Sequence, residues 1–529
     1  MKKGRNFMLR RVKTENGMVQ GLVGKDPRIT VFRGVPYAKP PVGELRWKAP
    51  QPAECWEGIR KCYEYGDMPM MRIHPGTDDG FYKRELHPVS SEFGMSEDCL
   101  YLNIFSPAET TEDKLPVFCY IHGGGLQDGY NYEVEFDGER VARRGVIVVM
   151  IGYRLGLFGF LAHPEITAET PEGVPISNFG MQDQSFALHW IARNIRNFGG
   201  DPQRMVICGQ SAGAGSVQTQ LCSPYNKGLI SGAICQSAIT FDFGDRGSIL
   251  GRTMTLKDAE KSGKDFFDSV GIRNLEEARS MDAGELMKRL NDVSPKGAMF
   301  GLSFGTCIDG LFVTEPVVSS YYNDNLPDVP MIVGLCMDET QGMFVGSPMK
   351  KSDIEEIAER YGEKKEEFLR LANVKTDEEA AELAKGEAFN QFLSGSRGFC
   401  ELRSGMGKRV YYYIFDHDIP GDDAGSFHGS DLWFMFDSLG NSWRPFEGKH
   451  YDLARQVCSY WVNFVKTGDP NGWDYNGNLL PEWKPYRREE KNVMKFLDHA
   501  TPEKLEDCPL LDLRLEYGKE HLTKENYRK

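Results

Sequence analysis

The chain has 529 residues, of which 40% are hydrophobic, 26% charged and 12% aromatic, and this composition is typical of a globular protein. Its formal net charge of −14 argues against nucleic acid or an anionic membrane surface as a partner. No stretch of about 18 uncharged apolar residues occurs, so we expect no stable membrane anchor.

The N-terminal residues are basic, but no apolar segment follows them, so we expect no secretory signal. The 12 cysteines form no C-x-x-C pair, and several lie in apolar, strand-like runs: Cys119, Cys208, Cys235 and Cys336. This pattern favours buried free thiols over a disulfide scaffold and predicts a cytoplasmic protein. We expect no metal ion and no cofactor.

Apolar runs separated by turn residues predict β-strands along most of the chain. The first two runs suggest a hairpin, and the predicted strands are 18–23, 29–35, 100–105, 117–121, 146–151, 205–208, 232–236, 331–335 and 410–415. Helical periodicity is present at 181–198 and 451–467. The alternation of strands and helices predicts an α/β fold with a large, mostly parallel sheet covered by helices on both faces.

Two polar, helix-like regions interrupt the strands, at about 240–300 and 350–400. We interpret them as cap-like insertions over the strand ends. The sequence contains no internal repeat, low-complexity tract or flexible linker that would separate independent parts. We therefore predict one domain that spans residues 1–529.

Ser211 is the candidate nucleophile. It occupies the centre of Gly209-Gln210-Ser211-Ala212-Gly213, directly after an apolar run and before small residues that open a helix. A strand, a sharp turn and a helix are the context that a G-x-S-x-G nucleophile elbow requires. The pattern therefore predicts a serine hydroxyl lifted clear of the carboxyl end of a strand.

A serine hydroxyl needs a base, usually histidine, and an acid that orients the histidine. His428 lies in a loop of small residues after the predicted strand 410–415, at a strand end where open α/β sheets build their sites. His417 is a rival near the same strand end, in a more polar segment. The acid should follow the preceding predicted strand, and Asp338 and Glu339 both do, so spacing alone leaves these two open.

A run of three glycines, Gly123, Gly124 and Gly125, follows the predicted strand 117–121. Glycines let the main chain approach a substrate closely, and fixed N–H groups suit a developing oxyanion. A triple glycine can also be a flexible loop, but its place after a strand and upstream of the serine favours an oxyanion hole. The N–H of Ala212, the residue after the nucleophile, would complete it.

With these residues the chain resembles the type-B carboxylesterases, a family of α/β-hydrolases that includes carboxylesterases, some lipases and the cholinesterases. The resemblance covers nearly the whole chain. Its other motifs are FRGVPYA at 32–38, PPVGELR at 40–46, SEDCLYLN at 96–103, YRLG at 153–156, NFGGDP at 197–202 and KTGDPN at 466–471. The resemblance implies the α/β-hydrolase fold and ester hydrolysis through an acyl-enzyme, in a bacterial-type member.

The resemblance also implies roles for single residues. It selects Glu339 over Asp338 as the acid, and it places the oxyanion hole on Gly124, Gly125 and Ala212. Ser237 matches a serine that supports the histidine and the acid, and Gln210 is grouped with it as a supporting residue. The family's structural ion pairs correspond here to Arg46 with Glu97 and Arg154 with Asp183.

Several departures from the family pattern bear on function. Thr340 replaces a glycine after the acid, and Cys99, which is disulfide-bonded in many secreted members, has no partner in register and is expected to be a free thiol. Gln210 stands where cholinesterases have a glutamate, and no tryptophan lies between Trp56 and Glu97. Because a negative charge and a cation–π surface are missing, choline esters are poor candidates.

We therefore predict a serine carboxylesterase whose partner is a small ester with a short- to medium-chain or aromatic acyl group. Alternatives are a feruloyl (hydroxycinnamoyl) esterase, an amidase or carbamate hydrolase with the same triad, and a catalytically silent binding module, which the intact triad disfavours. The pocket walls are expected within 68–86, 241–302 and 344–399. The apolar residues of these stretches and their edges, which core packing would explain equally well, are Met70, Met71, Phe81, Tyr82, Met299, Phe300, Phe304, Met343 and Phe344.

Overall fold

The structure is a computed structural model that describes residues 8–71, 81–86, 94–245, 253–294, 304–340 and 348–522. Its largest sheet contains eleven strands from these residues. They are β1 Leu22–Val23, β2 Thr30–Pro36, β3 Tyr101–Ser106, β4 Leu115–Ile121, β5 Ile147–Ile151, β6 Gly200–Gln210, β7 Gly232–Gln236, β8 Met331–Cys336, β9 Val410–Phe415, β10 Asn492–Phe496 and β11 Ala500–Lys504.

In space the strands follow the order β1-β2-β3-β5-β4-β6-β7-β8-β9-β10-β11. From β5 to β10 all neighbouring strands are parallel. Strands β1 to β3 and β11 complete the edges with antiparallel pairs. The predicted α/β fold with a large, mostly parallel sheet is confirmed.

Helices connect the strands and cover the sheet. They are α1 Phe81–Leu86, α2 Gly138–Ala142, α3 Gly156–Phe160, α4 Pro164–Glu169, α5 Phe179–Asn194, α6 Ala212–Cys222, α7 Leu256–Val270, α8 Leu275–Ser280, α9 Ala283–Val293, α10 Val317–Tyr322, α11 Lys351–Glu359, α12 Lys365–Ala372, α13 Asp377–Lys385, α14 Gln391–Gly405, α15 Ser430–Met435, α16 Gly448–Thr467 and α17 Pro509–His521. None of these helices combines the length and apolar composition needed to cross a bilayer.

The central strands are buried on both faces, which explains their continuous apolar sequences. All five residues of β5 are buried, and four of them are β-branched. Val149 belongs to the core cluster that includes Leu188 of α5, whereas Val148 belongs to the cluster that includes Val457 of α16. Successive residues of the strand thus build two cores, one on each side of the sheet.

The strand order reverses next to β4, because β5 lies on one side of it and β6 on the other. Open α/β sheets bind their ligands at such a switch point, outside the carboxyl ends of the strands. Ile121 at the end of β4 pairs with Gly209 near the end of β6, and Gln210 pairs with Gln236 at the end of β7. The segments that follow these strands therefore meet at one edge.

The predicted hairpin at 18–35 is correct only in part. Leu22–Val23 pairs with Thr30–Pro36 as expected, but Met18–Gln20 joins a separate small sheet with Arg11–Lys13 and Ile59–Lys61. Gly21 lies between the two parts; its N–H donates to the Arg10 carbonyl at 2.9 Å, and a Cβ there would lie 2.8 Å from the Val31 carbonyl oxygen.

The other predicted strands and both predicted helices are confirmed within a few residues, and two sheet strands, β10 and β11, were not predicted. The regions predicted as insertions contain helices α7 to α9 and α11 to α14. All 12 cysteines are free thiols, as expected. That residues 1–529 form one domain stays a prediction.

Candidate functional site

Ser211 lies in the sharp turn between β6 and α6, with φ 55° and ψ −128°. A residue with a side chain rarely adopts this conformation, so the turn is strained. The flanking glycines permit it, because a Cβ at Gly213 would overlap the Ile121 carbonyl oxygen, and one at Gly209 would overlap the Gly213 carbonyl oxygen. The Ser211 N–H donates to the Gln236 carbonyl at 2.9 Å and ties the turn to β7. The turn has the geometry of a nucleophile elbow.

His428 and Glu339 contact each other across the carboxyl ends of two neighbouring strands. Glu339 follows β8 and His428 follows β9, and these strands pair in parallel. One Glu339 oxygen accepts a hydrogen bond from His428 Nδ1, and the other accepts one from the Cys336 N–H at 2.8 Å. Because Nδ1 carries its proton toward the carboxylate, Nε2 is the nitrogen left to act as a base.

Glu339 is 2% exposed, and burial raises the pKa of its carboxyl above the ordinary value. The neighbouring His428 and the hydrogen bonds from His428, Ser237 and the Cys336 N–H lower this pKa again, but burial dominates. Ser237 therefore touches the acid. Its own backbone has φ 56°, and its N–H donates to the Gly334 carbonyl at 2.8 Å.

Asp338, the alternative acid, has a different contact. Its Oδ2 accepts hydrogen bonds from the Ser426 N–H at 2.9 Å and from the Ser426 hydroxyl at 3.2 Å. The side chain therefore fastens the loop that carries His428 to the end of β8, while Glu339 faces the imidazole ring itself.

His417, the alternative base, belongs to another cluster. Its Nδ1 lies 3.5 Å from an Asp498 oxygen, and its ring packs edge-on against His450 and Phe434. Burial lowers the pKa of His417 to about 4. These contacts involve none of the loops that carry Ser211 or Glu339.

The side chain of Gln210 lies next to His428 Nε2, the atom that the sequence predicts to contact the Ser211 hydroxyl. Its Nε2 lies 3.1 Å from His428 Nε2. Although Ser211 and His428 both belong to the described part of the chain, the structure holds no hydrogen bond between them. Sequence reasoning placed Gln210 beside the nucleophile but did not predict this contact.

The glycine run lies directly over the serine. A Cβ at Gly123 would lie 3.1 Å from Ser211 Cβ, and a tight turn follows in which Gly124, with φ 95°, accepts backbone hydrogen bonds from two later N–H groups at 2.9 and 3.0 Å. The N–H groups of Gly124 and Gly125 donate to no other described residue. Ala212 is the first residue of α6, where an N–H has no acceptor within its own helix. These three donors are available to a ligand.

Side chains that the sequence did not single out hold the glycine loop in place. The Tyr153 hydroxyl donates to the His122 carbonyl at 2.9 Å, and the two rings stack. Gln127 Nε2 donates to the Phe304 carbonyl at 2.7 Å and so connects this loop to the segment after α9. His122 is fully buried, and burial lowers its pKa to about 4. No spacing pattern could have pointed to these contacts.

The predicted pocket residues separate into three groups. Met70, Met71 and Phe304 are buried in the core clusters. Phe81 packs edge-to-face on Phe427, beside His428, with ring centroids 4.9 Å apart. The remaining ones lie outside the described residues: Met299, Phe300, Met343, Phe344 and the side chain of Tyr82.

Phe392, within the predicted pocket wall 344–399, lies close to the His428 ring. Its ring centroid is 5.7 Å from that of His428. The side chain of Phe392 is therefore an aromatic neighbour of the imidazole that α14 contributes.

Both predicted ion pairs are confirmed. Arg154 binds both oxygens of Asp183 at 2.7 Å, and Arg46 binds both oxygens of Glu97. Within the described residues, no group of three or more histidine, cysteine or acidic side chains is arranged to hold a metal ion.

The chain is similar to known esterases over most of its length. A model of the carboxylesterase family matches residues 9–510. The fumonisin B1 esterase of Sphingopyxis macrogoltabida is 31% identical over 87% of this chain and 82% of its own. The para-nitrobenzyl esterase of Bacillus subtilis strain 168 is 30% identical over 93% and 96%. A solved PNB esterase structure superposes with a TM-score of 0.75 at 27% identity, covering 96% of this chain and 99% of that one.

Proposed function

Since the chain belongs to the carboxylesterase family and is a carboxylesterase-type hydrolase, we propose that it cleaves esters through an acyl-enzyme formed on Ser211. The observation that carries this proposal is the contact between His428 Nδ1 and the buried Glu339 carboxylate, at the sheet edge where the strained Ser211 turn emerges. A carboxylate in this position fixes the histidine tautomer and stabilises the cation that forms when Nε2 takes a proton.

In the first half-reaction Ser211 Oγ attacks the ester carbonyl carbon while its proton passes to His428 Nε2. The carbonyl oxygen becomes an oxyanion, which the N–H groups of Gly124, Gly125 and Ala212 bind. The alcohol then leaves with the proton from His428, and an acyl-serine remains. Glu339 stays ionised throughout.

In the second half-reaction water takes the place of the alcohol. His428 removes a proton from the water as it attacks the acyl carbon, and the same N–H groups hold the second oxyanion. Collapse of this intermediate returns the proton to Ser211 and releases the carboxylic acid.

For the substrate we propose esters with short- to medium-chain or aromatic groups. Phe392 lies beside the His428 ring, with ring centroids 5.7 Å apart, so aromatic surface borders the imidazole. A relative named for para-nitrobenzyl esters agrees with a substrate that carries an aromatic ring.

The test is hydrolysis of a p-nitrophenyl ester series from acetyl to palmitoyl, together with methyl ferulate, by the wild-type protein and by Ser211→Ala. We expect turnover that is greatest for short to medium chains and that falls by several orders of magnitude in the variant. Hydrolysis that persists in Ser211→Ala would reject this nucleophile. If no ester is cleaved by the wild type, the same series with anilides would test the amidase alternative.

A further inference from the structure

The Gln210 amide is wedged between the two loops that meet at the candidate site. Gln210 is 6% exposed. Its Oε1 faces the glycine loop, where a Cβ at Gly123 would lie 3.1 Å away, and its Nε2 faces the histidine loop, 3.1 Å from His428 Nε2 and 3.5 Å from where a Gly429 Cβ would be. The amide therefore has a defined orientation between the two loops.

The positions of the protons on the two nitrogens determine which one donates the hydrogen bond. His428 Nδ1 donates to Glu339, so Nε2 presents a lone pair. An amide nitrogen can only donate. Gln210 Nε2 therefore donates a hydrogen bond to His428 Nε2, the same lone pair that has to receive the Ser211 proton in the proposed reaction.

We propose that Gln210 is a positioning residue that caps the His428 base in the free enzyme and gives way when an ester and the Ser211 hydroxyl take its place. The inference rests on the proposed function, because it assumes that His428 Nε2 is the base. While the cap is in place, the imidazole ring is aligned between Glu339 and the amide. Protonation of Nε2 from solvent has to break the Gln210 hydrogen bond.

The acid limb of the kcat/KM profile reports protonation of the base in the free enzyme. Two carboxylates whose charges act on His428 are Glu339 and Asp431, and both remain in every variant below. A change in the limb can therefore be assigned to the side chain at position 210.

Two substitutions at this position test the cap. Gln210→Leu removes the donor at similar size, so we expect the midpoint of the acid limb to rise by about 0.5–1 pH unit, the equivalent of one lost hydrogen bond. Gln210→Glu keeps the shape but puts a negative charge beside Nε2, so we expect a larger rise of roughly 1–3 pH units. Gln218→Leu is the matched control, since this buried amide on α6 donates to the Ala214 and Ala238 carbonyls, and its limb should match the wild type.

An acid limb that stays at the wild-type pH in both Gln210 variants overturns the proposal, as does a shift of equal size in Gln218→Leu. Thermal unfolding of each variant shows that the profiles come from folded protein, and Gln210→Glu, which is nearly isosteric, carries the test if Gln210→Leu does not fold. Ser211→Ala is measured in parallel. If it retains full hydrolysis, the proposed function fails as well. If it is inactive while the limbs do not move, only the role of Gln210 is rejected.

Discussion

Asp338 and Glu339, which follow β8, have different contacts because successive side chains point in different directions. Glu339 faces His428 from a buried position, whereas Asp338 fastens the Ser426 main chain. A buried carboxylate without bulk water around it is costly to ionise, which is why burial raises the pKa of Glu339. Its role as the acid can be separated experimentally from the role of its neighbour.

We predict that Glu339→Gln lowers kcat by about three to four orders of magnitude with little change in KM, because the amide cannot stabilise the imidazolium that forms. Because the pKa of Glu339 is raised in the folded protein, its ionised carboxyl destabilises the fold at pH values above the ordinary pKa of glutamate. The neutral variant should therefore unfold at an equal or higher temperature at pH 7–8. The measurements are steady-state kinetics on a p-nitrophenyl ester and thermal unfolding.

Asp338→Asn is the matched comparison for this prediction. It should lower the unfolding temperature, because the Ser426 N–H and hydroxyl lose a charged acceptor, while kcat stays within about tenfold of the wild type. A larger loss of kcat in Asp338→Asn than in Glu339→Gln would show that Asp338, and not Glu339, is the acid.

At the scale of elements, helix α6 is brought against the sheet so closely that position 213 in its first turn tolerates no side chain. A Cβ at Gly213 would overlap the carbonyl oxygen of Ile121 at the end of β4, a backbone atom that can give way only if β4 or α6 shifts. Gly215, two residues later in the same helix, has no atom within 4 Å of its Cβ position. The two glycines therefore serve different purposes.

We predict opposite stability changes for alanine at these two positions. Gly213→Ala should destabilise the fold by about 1–3 kcal/mol, because α6 or β4 has to shift. Gly215→Ala should stabilise it by about 0.5–1 kcal/mol, because alanine restricts the unfolded chain and favours the helix. Urea unfolding of both variants checks this, and changes of the same sign would contradict the proposed overlap.

The sequence predicts elements well where local pattern and tertiary environment agree. β5 is continuously apolar because it is buried on both faces, and it was predicted within one residue. β10 and β11 were missed since they are short and partly polar, and their pairing with β9 and with each other comes from distant parts of the chain. The hairpin prediction was wrong before Leu22, because Met18–Gln20 pairs with Arg11–Lys13 and with Ile59–Lys61, and no local pattern reveals the second of these pairings.

The same distinction applies to the site. Ser211 and the glycine run were predicted because each sits in a short segment whose spacing reflects a tight turn. The contact of Gln210 with His428 joins residues 218 positions apart, and it depends on which way two side chains point after the sheet has formed. Such contacts form only in the assembled fold and produce no periodic pattern in the sequence.

At the scale of the whole molecule, the fold buries histidines that the proposed mechanism does not use. His122 is 0% exposed and His417 is 3% exposed, and burial lowers the pKa of each to about 4. In the unfolded chain both return to an ordinary histidine pKa near 6.5. Between about pH 6.5 and 4 the unfolded chain therefore binds protons that the folded protein does not.

This difference makes the fold acid-sensitive in a defined window. Above about pH 6.5 these histidines should not reduce the free energy of unfolding. As the pH drops to about 4, the free energy of unfolding should fall by on the order of 3 kcal/mol for each histidine. Below about pH 4 these two groups should cause no further loss. Urea unfolding at half-unit pH intervals measures the slope. His417→Gln, which cannot titrate, should make the fall shallower, while His499→Gln, at an exposed histidine, should leave it unchanged. Identical slopes in wild type and His417→Gln would show that other groups, such as buried carboxyls, govern the acid response.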